Sequence, residues 1–158
     1  MSLLDFCHWI QFSAPLSAMR GSWWLFPVIA TIHLMGLSMI GGAVLVVDLR
    51  LLGLGLRRRP AAEVAREAEP WLRRGLFVMV GTGIPLFMCF ATKYYYLTFF
   101  WVKMASLILV VLLTYSIRRR VAMADEESRS PALSRLVAVV SLALWTTVAT
   151  GGRWIGFP

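Results

Sequence analysis

The chain has 158 residues, of which 59% are apolar and 15% charged, with sixteen Lys and Arg against eight Asp and Glu for a formal charge of +8. Soluble domains run at roughly 45–50% apolar and about 25% charged, so this composition excludes an ordinary water-soluble domain and points to lipid. The basic excess sits between long apolar runs, where membrane loops carry it, and does not indicate nucleic acid as a partner.

The first segment, "LLDFCHWIQFSAPLSAMRG", alternates apolar and polar groups and sets Trp9 and Phe12 near His8. It predicts a short helix over residues 3–12 lying on the outer membrane surface, too short to cross. Residues 1–22 therefore form an N-terminal interfacial segment, and residues 23–158 a transmembrane domain. The start lacks a basic leader and carries Asp5, so the first long apolar run is expected to stay as an anchor. Cys7 and Cys89 set no disulfide framework, and Cys89 reads as a small buried side chain.

The first span is predicted over residues 23–47, opening on "WWLFP" with indoles at headgroup level and a proline in the first turn. The run "LLGLGLRRRP" carries it to the interface and stops before Pro60. A second span covers residues 75–92, where "GTGIP" predicts a thinned or kinked helix. The third, residues 97–117, contains Lys103 and ends on three arginines; the fourth, residues 133–152, stops at Arg153. About twenty residues suffice for each crossing.

Two long connections, residues 57–74 and 118–135, hold six and five arginines, whereas the turn at residues 93–96 offers one lysine. The positive-inside bias puts both long connections in the cytoplasm and both termini outside. The fold class expected is an all-α integral membrane protein of the bacterial inner membrane, an antiparallel bundle of four transmembrane helices with a short interfacial helix at the N-terminus. Strands are excluded, since no closed-barrel pattern appears.

Polar groups are expected to converge in the outer half. His33 lies ten residues beyond Trp23, about 15 Å along the helix, and Lys103 about 9 Å into its own span. Arg153 closes the fourth span on that side, with Thr146, Thr147 and Thr150 just below and Trp145 deeper. His8 would sit above them. An imidazole facing lipid is costly, while one facing a cavity or ligand is not. Neutral imidazole is a good axial ligand for haem iron, whose propionates need cations near the membrane edge. His33 is thus a candidate haem or metal ligand, with a proton-handling role in a quinone pocket and a structural hydrogen bond as the other readings. His8 is the second histidine available as a ligand, or an ordinary interfacial side chain. Lys103, Arg153, Lys93 and Arg20 are the candidate partners for carboxylates, unless Lys103 snorkels outward and Arg153 only anchors the interface.

At the inner edge, Asp48 and Arg50 are too close in sequence to face each other, so Asp48 is expected to pair with Arg73, Arg74 or Arg118 as a structural latch. The alternative is recognition of anionic lipids at the cytoplasmic face. Gly36, Gly41 and Gly42 form a small face suited to close helix contact or to a flat cofactor. The three tyrosines from Tyr94 to Tyr96 read as an aromatic belt. The methionines read as apolar filler, with copper transport the minor alternative.

The stretches "WLFPVIATIHLMGLSMIGGAVLVVDLRLLGL", "PWLRRGLFVMVGTGIPLF", "FWVKMASL" and "SLALWTTVATGGRWIGF" together resemble a family of small bacterial four-span proteins of unknown function, over residues 23–157. More loosely, a first-span histidine with a third-span lysine is similar to the CopD-like copper-resistance proteins and the HemJ-type protoporphyrinogen oxidases. That likeness implies His33 and Lys103 as haem or porphyrin contacts. The function expected is a haem-b-binding membrane redox subunit, which relays electrons among other redox subunits of a larger complex or in a homo-oligomer. The alternatives are a porphyrinogen or quinol oxidoreductase, and a non-catalytic structural or assembly subunit.

Overall fold

Along four segments apolar or small residues recur every three to four positions, and each segment is a helix with that stripe turned inward. The computed structural model describes residues 3–56, 58–124 and 130–155, and helix is the regular structure found there. In chain order the helices are α1 Leu3–Gln11, α2 Ala14–Gly21, α3 Leu25–Leu52, α4 Ala61–Cys89, α5 Ala91–Tyr95, α6 Thr98–Leu113, α7 Arg119–Met123 and α8 Pro131–Trp154. A π-helical turn, Thr114–Arg118, joins α6 to α7 without a break, giving a span of 26 residues. The other three spans have 28, 29 and 24 residues, so four helices are long and apolar enough to cross a bilayer and the chain reads as a multi-pass membrane protein.

α3 packs on α4 and on α8, and α8 packs on α6; α4 meets the far end of the third span through α7. The bundle order is therefore α4, α3, α8, α6, and each packed pair is antiparallel. One end carries the chain's described termini, and the other carries the arginine-rich connections. The core has two levels. Ile40, Val44, Met79, Val110, Trp145 and Val148 fill the middle, and Val47, Leu51, Val64, Val121 and Ala138 fill the arginine-rich end.

Two boundaries differ from the sequence expectation. α4 begins at Ala61, so most of the predicted connection at residues 57–74 is helix. Ala61, Val64, Ala68 and Leu72 form one apolar stripe at helical spacing, while Glu63, Arg66, Arg73 and Arg74 point outward. The third span runs to Met123, so Arg118 lies inside the bundle and not in a loop.

The "GTGIP" segment stays within a single helix that also accommodates Pro70. Gly36 and Gly75 bring α3 and α4 together: a Cβ on Gly75 would stand 2.7 Å from Ile40 Cγ1 and 3.0 Å from the Gly36 carbonyl. Gly41 and Gly42, expected to share that contact, have open space where a Cβ would project.

The N-terminal segment is two helices, with α1 close to the bounds of the predicted short helix and α2 unforeseen. Leu16 and Met19 of α2 bury against Cys89, Leu86 and Phe26. Arg20 donates to the Cys89 carbonyl at 3.2 Å, and the Thr92 N–H donates to Gln11 Oε1 at 2.9 Å. Both bonds satisfy backbone groups at a helix end, where the helix itself has no partners to offer. The segment is thus strapped across the ends of α4 and α5.

Candidate functional site

His33 extends the inward stripe of α3 by one turn beyond Gly36, and its ring lies along α4. Nδ1 is 2.8 Å from Thr82 Oγ1, and that hydroxyl donates its proton to the Val78 carbonyl at 2.6 Å. A hydroxyl has a single proton to give. With its proton on the Val78 carbonyl, Thr82 accepts from His33, a pairing that puts the ring proton on Nδ1 and leaves Nε2 its lone pair. The Met79 carbonyl lies close as a further acceptor. Gly83 makes the approach possible, since a Cβ there would stand 3.2 Å from His33 Cε1. One edge of the ring is thus packed and bonded to α4, and the residue remains partly accessible.

Lys103 faces the same region from α6 and interacts electrostatically with His33. It does not snorkel straight out. Its stem lies on Gly151, whose Cβ would be 3.2 Å from Lys103 Cβ, and its Nζ reaches Gly152, whose Cβ would be 3.3 Å away. The "GG" before Arg153 is therefore the bed of the lysine, as Gly83 is the bed of the histidine. One turn toward the chain termini, Phe87, Tyr94 and Phe100 stack with centroids 5.2–6.2 Å apart, joining α4, α5 and α6 in an aromatic roof. Burial, with the Cys89 thiol adding to it, pushes the Tyr94 phenol above the ordinary tyrosine range, so it stays protonated at neutral pH.

Other expected members of the site stand elsewhere. His8 is exposed on α1 and stacks on Phe12 at 4.6 Å, and α1 packs on α5, α4 and α2. Thr150 is exposed and returns its proton to the Thr146 carbonyl at 2.8 Å, while Thr146 and Thr147 bond back in the same way. Arg153 is exposed at the end of α8, and Trp145 belongs to the mid-bundle core with its indole N–H unbonded. Arg20 is committed to Cys89 and lies 5.3 Å from the Phe12 ring centroid. The convergence expected at this end thus reduces to His33 and Lys103, joined by Thr82 and the aromatic roof.

A second polar centre lies deeper, toward the arginine-rich end. Arg118 Nε donates to Asp48 Oδ1 at 2.6 Å and Nη2 donates to the Val44 carbonyl at 3.2 Å, with the two side chains 7% and 0% exposed. Of the three arginines offered to Asp48 by the sequence, Arg118 is the partner. The Ser141 hydroxyl lies beside the carboxylate, yet neither it nor Asp48 Oδ2 has a well-formed hydrogen bond. Thr114 Oγ1 is likewise buried without a partner. It lines a cavity of about 40 Å3 together with Arg118, Glu69 and Arg119. By volume such a space holds water and no larger ligand.

Among the described residues no group of three or more His, Cys, Asp or Glu side chains is placed to hold a metal ion. A single imidazole is a different donor set, which could supply one protein ligand to a metal that a cofactor itself carries. A family model described as a family of unknown function, DUF6644, matches residues 21–158, and the chain belongs to that family. No curated protein and no solved structure matches the chain.

Proposed function

We propose that this member of the DUF6644 family is a haem-b-binding redox subunit of the bacterial inner membrane, with both termini on the periplasmic side, working beside other redox subunits. The supporting observation is the 2.8 Å contact of His33 Nδ1 with Thr82 Oγ1, in which a proton on Nδ1 leaves Nε2 to present its lone pair. A hydrogen bond at Nδ1 of this kind orients an imidazole and raises its basicity toward iron. Lys103 supplies a cation for a propionate within electrostatic reach of the imidazole. The glycines at 83, 151 and 152 keep both side chains seated against their helices. When bound, haem would supply reversible one-electron chemistry. His8 has no part in this reading, so His33 alone supplies a protein ligand. The loose likeness to HemJ-type proteins concerns the same pair, His33 and Lys103. Orientation follows the arginine bias of the connections at residues 57–74 and 118–135.

The aromatic roof favours one further reading, a quinol site in which Nε2 accepts the proton of a ring stacked below Phe87, Tyr94 and Phe100. Spectra of detergent-purified protein separate the two. A reduced-minus-oxidised haem b signal is expected, absent in His33→Ala. Thr82→Val should weaken haem retention by about 10–100-fold, because the ring loses its orienting partner. An unchanged haem signal in His33→Ala would end the proposal, while a haem-free protein that consumes quinol would support the second reading.

A further inference from the structure

Other hydroxyls along the spans return their proton to the backbone one turn back: Ser38 to Leu34, Thr146 to Leu142 and Thr147 to Ala143. Thr114 is different. It is buried on the third span, its Oγ1 has no partner, and it lines the cavity of about 40 Å3 beside Arg118. Thr114 opens the π turn and Arg118 closes it, so the turn sets both polar side chains on one wall. Such turns inside α-helices recur at functional sites. The facing walls are small, with Ala43 of α3 and Ala65 and Ala68 of α4 leaving the space unfilled. α4 packs on the third span chiefly through α7, beyond the π turn.

Three groups on the lining can hold water. Thr114 Oγ1 offers a proton and accepting lone pairs, and the Glu69 carboxylate accepts. Arg118 spends Nε on Asp48 and Nη2 on the Val44 carbonyl, and its guanidinium carries further N–H groups. A buried water makes about three hydrogen bonds, which this set supplies. Exposure rises along the lining: Thr114 is 4% exposed, while the side chains of Glu69 and Arg119 are 24% and 55% exposed. Those two stand 3.8 Å apart, too far for a hydrogen bond, and leave the rim unsealed.

We infer that this cavity is a water-binding inlet. Water enters from the arginine-rich end between α4 and the third span, bonds Thr114, Arg118 and Glu69, and hydrates the buried ion pair through its guanidinium. Asp48 is not on the lining, so the inlet ends at Arg118 and stops short of the carboxylate. The inference is independent of haem or quinol binding at His33.

Silver ion, close to water in size, tests it on the full chain in detergent micelles with Cys7→Ala and Cys89→Ala as background. Two single thiols are compared. One is Thr114→Cys, near threonine in shape; the other is Leu112→Cys, where the leucine is 61% exposed on the bundle's outer face. The silver reaction is read as the fraction of thiol no longer alkylated by a maleimide added in SDS. The buried Thr114→Cys thiol should react faster than the exposed Leu112→Cys thiol by about a hundredfold or more, because water permits the thiolate whereas an apolar surround holds the thiol protonated. Ala65→Leu adds volume on the cavity wall and should slow the Thr114→Cys thiol, leaving the Leu112→Cys thiol unchanged. Equal rates for the two thiols, or a Thr114→Cys rate unaffected by Ala65→Leu, would overturn the inference.

Discussion

An Arg118→Ala protein is expected to lose about 3–5 kcal/mol of stability, because the substitution leaves Asp48 buried without its cation. Asp48 is fully buried, and its one well-formed bond is the 2.6 Å contact from Arg118 Nε. The Val44 carbonyl loses a donor in the same change. Cost and worth differ here. Replacing both members by apolar side chains, as in Asp48→Leu with Arg118→Met, should recover most of the loss, since the pair must overcome the desolvation of two charges. Arg59 supplies the contrast, because its bonds to Glu63 and Glu67 lie at the exposed surface. Thermal or SDS unfolding in detergent micelles measures all four proteins. An Arg118→Ala midpoint equal to that of Arg59→Ala would show that the buried pair does not hold the bundle.

Gly75→Ala is expected to cost about 1–3 kcal/mol, although alanine favours an isolated helix by up to about 1 kcal/mol. The reason is backbone proximity. The new methyl would stand 2.7 Å from Ile40 Cγ1, 3.0 Å from the Gly36 carbonyl and 3.1 Å from the Ile40 nitrogen. A side chain can turn away, whereas two backbone atoms cannot, so α3 and α4 must separate along the most extensive contact in the bundle. Gly41→Ala is the opposite case: open space surrounds its Cβ position, and the helix preference should leave stability unchanged or slightly raised. The same unfolding assay decides it, and a neutral Gly75→Ala would refute the tight crossing.

Hydrophobic length made the four spans legible, because little else produces runs of that length and composition. The start of α4 was hidden by its own solvent face. Its charged residues dominate the composition, while Ala61, Val64, Ala68 and Leu72 carry the weaker periodic signal. His33 was legible as a polar group needing an inward partner, since lipid offers none. Thr82 was not, because the pairing of His33 with Thr82 spans 49 residues and depends on how two helices are rotated. The expected cluster of Thr150, Arg153, Trp145 and His8 relied on depth alone. Depth fixes neither the face of a helix nor a threonine's return of its proton to its own backbone.

Arg118, one of the three partners the sequence offered to Asp48, closes the π turn at Thr114–Arg118. A π turn spends one more residue than an α turn, and in an α-helix one residue is worth about 100° of rotation. Deleting a single residue from that turn would advance the phase of everything after it. Val121 and Ala122 would swing off the bundle axis together, and the covalent lead into α8 would depart in a new direction. Chain length through this segment therefore acts as an angular setting, so the third span tolerates exchange of side chains more readily than a change in their number.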